Sequence, residues 1–160
     1  MPNDPNMQTE LNARYRASAA AIGAGIGVAL ALTGFAFLRG ESLYRPGNPR
    51  LPLALWIVIM VCGMGAFVYR RFMFAGDRLR DIGILRGTSG LLRSLQSTTV
   101  QLALIGIAIA LVGFVILIAS GNKYDMLRAG AISVIVMVYS FPQKSAWQRV
   151  AQAVEHKLGV

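Results

Sequence analysis

Three stretches of this chain run for the length of a membrane crossing without one charged side chain: Ala17 to Leu38, Leu51 to Tyr69 and Thr98 to Ala119. A helix needs roughly 20 apolar residues to cross a hydrocarbon core about 30 Å thick. Only 14% of the 160 residues are charged, against about a quarter in a soluble domain, and the apolar residues are gathered into these blocks. The chain is therefore expected to be an all-α integral membrane protein.

A fourth stretch, Ala129 to Phe141, is short by about a third of a normal crossing. Starting its helix at Asp125, with the Arg128 side chain reaching back to the surface, makes up most of the deficit. Pro142 then stops or kinks it. The expected fold is four transmembrane helices arranged as two tandem αα-hairpins, 17–69 and 98–142. Short amphipathic helices at the surface complete a bundle with pseudo-twofold symmetry.

The segments outside the spans carry the turn formers and the charge. Residues 1–16 form an N-terminal cytoplasmic segment in which Pro2, Asn3, Asp4, Pro5 and Asn6 favour turns. Thr9 is the expected cap of the first helix. That helix is read as a retained span, because it is longer than the 7–15-residue apolar core of a signal peptide, and Asp4 and Glu10 precede it. Gly40, Pro46, Gly47, Asn48 and Pro49 make Arg39 to Arg50 a polar turn. Pro52 is acceptable in the first turn of the second span, and Trp56 and Tyr69 mark its two interfaces.

Residues 70–97 form a basic cytoplasmic linker. Leu79, Ile82 and Leu85, then Leu91, Leu92 and Leu95, give two short amphipathic helices, the second running into the third span. Gly87-Thr88-Ser89-Gly90 separates them. Lacking the lysine and the fuller glycine pattern of a phosphate-binding loop, it is read as a turn. In the tail, residues 143–160, Trp147, Val150, Ala151, Val154 and Leu158 share one helical face.

The net charge of +9 is spread around the span ends instead of forming one patch, so it sets topology and implies no nucleic-acid partner. With four spans, eleven basic residues share the side of both termini and the linker, and five lie opposite. If the fourth stretch fails to cross, the count is eight against eight. A multi-pass protein of the cytoplasmic or inner membrane with both termini in the cytoplasm follows. Arg70, Arg71, Arg78, Arg80, Arg86, Arg93 and Trp147 are the expected contacts to the bilayer. Anionic headgroups attract each arginine by about 1 kcal/mol.

Gly27 to Phe35, Gly-Val-Ala-Leu-Ala-Leu-Thr-Gly-Phe, returns as Gly106 to Phe114, Gly-Ile-Ala-Ile-Ala-Leu-Val-Gly-Phe, with six of nine residues identical. Small residues at Ala20, Ala24, Gly27, Ala31 and Gly34 match Thr99, Ala103, Gly106, Ala110 and Gly113 at one constant offset of 79. A seven-residue period keeps them on one seam of each helix. Lipid tails are as apolar as leucine, so close approach of backbones is what holds membrane helices together. The internal repeat is thus expected to bring the first and third helices together along their seams, with Gly23 and Gly27 adding a GxxxG pair beside them. The same seams suit a homo-oligomer or a partner in a larger membrane complex.

Ala21 to Gly27, Ala-Ile-Gly-Ala-Gly-Ile-Gly, resembles the first helix of rotary ATPase proteolipid subunits, over that helix only. Such a subunit needs a mid-membrane carboxylate, and neither following span supplies one, so the resemblance implies shared helix contacts and not ion translocation. No ionisable residue falls in the centre of any span, which lowers the expectation of active transport. His156 is the only histidine and Cys62 the only cysteine. Asp77 and Asp81 lie among arginines and suit local ion pairs. Ser133 and Thr33 have no base nearby in the chain and should bond a backbone carbonyl. No catalytic residue, cofactor or metal is expected. The expected function is non-catalytic, structural or accessory. An oligomeric channel or small transporter subunit is the alternative, with Thr33, Ser133 and Ser140 as its polar lining.

Overall fold

A computed structural model describes residues 5–74, 76–142, 145 and 147, without side-chain detail for 5–7, 76–84, 86 and 88. Four α-helices account for almost all of them: α1 (Pro5–Leu43), α2 (Leu51–Met73), α3 (Gly76–Ser120) and α4 (Lys123–Tyr139). No strand occurs among the described residues. Three helical stretches, Gln8–Leu43, Leu51–Met73 and Ser89–Ser120, are long and apolar enough to cross a membrane. α4 has 17 residues, which at 1.5 Å per residue is about 25 Å.

The helix ends differ from expectation in ways their residues explain. α1 begins at Pro5 and not at Thr9, since a proline in the first turn gives up an amide that has no intrahelical partner. It also runs through Arg39 and Gly40 to Leu43, leaving 44–50 as the connection. Gly40 is buried there, and a Cβ on it would meet Cδ1 of Leu117 at 3.3 Å. Inside α3 the backbone breaks at Gly87 alone, with φ 67° and ψ −176°, a conformation open to glycine and strained for other residues. Beyond it the helix is continuous into the apolar run.

Gly121, with φ +70°, turns the chain out of α3, and its N–H donates to the Leu117 carbonyl at 2.7 Å. The cap of α4 is Asn122, whose side chain accepts from the Tyr124 N–H. Asp125, in the first turn of α4, accepts from the Ser120 hydroxyl at 3.1 Å. α4 ends at Tyr139, where the approach of Pro142 disfavours further helix.

Successive helices alternate in direction. Leu11 of α1 packs near Leu91, Leu92 and Leu95 of α3, and Ala36 packs near Leu117, so α1 and α3 are parallel. Along α4, Ala129 meets Gly113 and Met137 meets Gly106, so α4 opposes α3. α3 touches all three other helices, and α4 packs on α1 and α2 as well, whereas α1 and α2 do not meet among the described residues. The cross-section is a rhomb with α3 and α4 on its short diagonal. A twofold relating the two halves would require an α1–α2 contact to match α3–α4, and the described residues make none. Connection length explains the asymmetry. The two residues between α3 and α4 force them to be neighbours, while 44–50 lets α2 cross to the far side of the pair.

One end of the bundle closes over Leu11, Leu91, Leu92, Leu95 and Trp147, with Tyr15 and Phe74 against them. That end therefore gathers the first turns of α1, the end of α2, the start of the apolar part of α3 and the chain after α4. At the other end the Arg45 N–H donates to the Ile118 carbonyl at 3.0 Å, and Lys123 lies 3.8 Å from Glu41.

Candidate functional site

The small residues of the third helix are where the bundle is tightest. Thr99, Ala103, Gly106, Ala110 and Gly113 are all buried. A Cβ on Gly113 would lie 2.3 Å from Cβ of Ala129, and one on Gly106 would lie 2.6 Å from Cγ of Met137. The side chain of Met137 fills a hole that α1 shares, since a Cβ on Gly25 would come within 2.8 Å of its sulfur. Three helices therefore converge on one thioether, an adaptable filler for such gaps. Beside it the Ser133 hydroxyl donates to the Gly106 carbonyl at 2.6 Å, a bond between helices that the missing side chain of Gly106 admits.

The matching residues of α1 do not enter this contact. Ala20, Ala24, Gly27, Ala31 and Gly34 are all exposed, and a Cβ on Gly27 or Gly34 would meet nothing within 4 Å. The face that α1 turns inward carries Ser18, Ile22, Gly25, Ala29, Ala36 and Gly40. At 100° per residue this face and the small-residue seam lie on opposite sides of the helix. The expected meeting of the two seams is thus replaced by α4 on the α3 seam and a free α1 seam. Phe35 and Phe114, which close the two repeated stretches, do touch, with ring centroids 6.1 Å apart.

The hydroxyls considered for a polar lining are tied to backbone. Thr33 donates to the Ala29 carbonyl at 2.8 Å and Ser140 to that of Val136 at 2.7 Å, and Ser133 bonds Gly106 as described.

The residues expected at the membrane surface divide four ways. Arg71 and Arg93 are exposed. Arg70 is half-buried, its guanidinium carbon 4.1 Å from the Tyr139 ring centroid and 5.7 Å from that of Phe74, a pair of cation–π contacts that ties the end of α2 to the end of α4. The side chains of Arg78, Arg80 and Arg86 lie outside the described residues, as does the tail apart from Ser145 and Trp147. Trp147 does not face outward. It is 2% exposed and meets Tyr15 edge-on at 6.4 Å, because the leucines that close this end offer its ring an apolar seat.

A cleft of 570 Å³ opens at the same end, between Tyr69 and Met73 of α2 and Arg93, Ser94, Ser97 and Gln101 of α3. The Tyr69 hydroxyl donates to the Gln101 side-chain oxygen across it. Of these residues, the sequence pattern singles out Tyr69 as an interface marker and Arg93 as a surface contact. The three- and four-residue spacing of Ser94, Ser97 and Gln101 along the same stretch is the signal that would mark the others. No group of three or more His, Cys, Asp or Glu residues able to hold a metal occurs among the described residues.

Comparison of the chain with protein-family models, curated protein sequences and solved structures finds no match.

Proposed function

We propose that this protein crosses the membrane four times, with both termini in the cytoplasm, and serves a non-catalytic role by holding another membrane helix against α1. The observation that carries this reading is the outward seam of Ala20, Ala24, Gly27, Ala31 and Gly34, exposed along several turns of α1. The same pattern on α3 is filled by Ala129 and Met137 of α4. A seam of small residues lets a second backbone come close, and in lipid that closeness supplies the association energy. The occupant is a second copy of the chain or a helix of a larger membrane complex. The fourth crossing is supported by the alternating helix directions and by the gathering of Leu11, Leu95 and Trp147 at one end of the bundle. The basic excess on that side supports the cytoplasmic assignment.

Site-directed crosslinking in native membranes tests the reading. With Cys62 replaced by alanine, a cysteine at Ala24 should crosslink into a discrete dimer or complex. One at Ile57, an exposed residue of α2, should not. Equal behaviour of the two positions would sink the proposal.

A further inference from the structure

We propose that the cleft between the end of α2 and the polar part of α3 binds the phosphate group of an anionic phospholipid, an inference that rests on placing this end of the bundle at the membrane surface. The unused polar groups that line it are donors or hydroxyls. Arg93 is exposed and forms no ion pair among the described residues. Ser94 and Ser97 line the cleft, and their hydroxyls make no hydrogen bond among the described residues. Gln101 has its side-chain oxygen occupied by the Tyr69 hydroxyl, which leaves its amide N–H pair to face a ligand. No carboxylate lines the cleft among the described residues. A phosphate diester offers only acceptor oxygens at its charged centre, and the planar fork of arginine matches two of them at once.

The same face of α3 also says what the rest of the ligand is. From Gln101 it continues at three- and four-residue steps through Leu104, Ala108, Leu111 and Val115, all exposed. A polar, donor-rich cleft runs directly into an uncovered apolar strip along one helix. An amphiphile with a phosphate head and acyl chains fits that sequence of surfaces, whereas a soluble phosphate leaves the strip unused.

The full chain, purified in neutral detergent and supplied with phosphatidylglycerol and phosphatidylcholine, tests this by native mass spectrometry. The wild type should retain phosphatidylglycerol in preference. Arg93→Gln should lower that retention about tenfold, the loss of one interaction worth about 1.4 kcal/mol, with thermal unfolding unchanged because Arg93 gives up no ion pair among the described residues. Arg71→Gln removes an exposed arginine at the same end that does not line the cleft, and should leave retention as it was. Gln101→Leu should weaken retention less than Arg93→Gln. An equal loss in Arg71→Gln and Arg93→Gln would overturn the site and leave general attraction of the basic end to lipid standing. Unchanged retention in Arg93→Gln would overturn the site outright. Glycerol phosphate without acyl chains should not compete. Competition at matched concentration would assign the cleft to a soluble phosphate and overturn the lipid assignment. Resistance of the protein to alkaline extraction from membranes reports its membrane placement separately, so failure of that reading is told apart from failure of the site.

Discussion

Gly27–Phe35 and Gly106–Phe114 share six of nine residues and meet opposite fates. In α3 the small side chains lie under α4 and α1; in α1 the equivalent positions face outward. Local sequence therefore makes a helix face capable of close approach without choosing what approaches it. Chain connection made the choice for α3, since Gly121 and Asn122 return α4 directly onto the seam. α1 reaches the bundle with its other side, where Ile22, Ala29 and Ala36 also repeat every seven residues. One helix thus carries two faces of helix-packing character and uses only one among the described residues of its own chain.

The largest test of this contrast is at Gly113 and its equivalent, Gly34. A Cβ at Gly113 would sit 2.3 Å from the Cβ of Ala129, a short side chain that cannot swing aside, so α3 and α4 would have to separate. Gly113→Leu should cost at least the penalty of about 1–3 kcal/mol typical of overpacking and prevent recovery of a folded bundle. Gly34→Leu should be recovered at wild-type yield, because nothing lies within 4 Å of a Cβ there. Comparable yields for the two variants, read by size-exclusion after detergent extraction, would break the contrast.

Gly106 and Gly27 form the next pair. The obstacle at Gly106 is Met137, whose Cγ and Cε would lie 2.6 Å and 2.7 Å from an added Cβ. A thioether side chain can shift where Ala129 cannot, so Gly106→Ala should lower stability by about 1–2 kcal/mol. The double variant Gly106→Ala, Met137→Ala should remain less stable than the wild type, because truncating Met137 relieves the clash but empties the hole it fills. Gly27→Ala should change stability by less than about 0.5 kcal/mol. Reversible unfolding in mixed micelles measures all three, and a cost at Gly27 equal to that at Gly106 contradicts the described burial.

The all-helical fold and the three helices long and apolar enough to cross a membrane were legible in the chain because absence of charge over that length has few other physical solutions. The break at Gly87 was legible because glycine marks a backbone that other residues resist. Which seam is filled was not legible. Ala20, Ala24 and Gly27 have the same spacing as Thr99, Ala103 and Gly106, and burial depends on connections and on α4, not on spacing. Met137 gave no periodic signal, since a single adaptable side chain fills holes offered by two other helices. The cleft was hidden for a related reason. Ser94, Ser97 and Gln101 belong to a helix that reads as the entry to a span, and only the approach of Tyr69 turns that stripe into a walled space.

A smaller effect is expected at Ser133, whose hydroxyl joins α4 to α3 through the Gly106 carbonyl at 2.6 Å. Ser133→Ala removes one hydrogen bond between α4 and α3, a bond worth about 0.6 kcal/mol on average between membrane helices. The carbonyl keeps its place in the α3 helix, so no buried acceptor is stranded and the loss should stay near that value in the same unfolding assay. Thr33→Ala is the matching change on α1. Its hydroxyl hydrogen-bonds only its own helix, so the interhelical hydrogen-bond contribution should be absent, and any loss comes from its packing against Gly130 of α4. Unchanged stability in Ser133→Ala would show that the bond to α3 contributes nothing.

The smallest effect on stability, and the one that bears on function, is expected when bulk is added along the outward seam itself. Gly27→Leu and Ala31→Leu alter exposed positions, so unfolding of the isolated protein should move by less than about 0.5 kcal/mol. The crosslinked species formed through cysteine at Ala24 should disappear in the same variants, because a leucine holds two backbones apart at the contact that small residues allow. Stability and association are thereby separated on one helix. At Gly106 bulk damages the chain's own bundle, and at Gly27 it should damage only what the bundle binds. If Gly27→Leu leaves the crosslink intact, the partner does not depend on close approach at the small residues, and the contrast between the repeated stretches is one of burial alone.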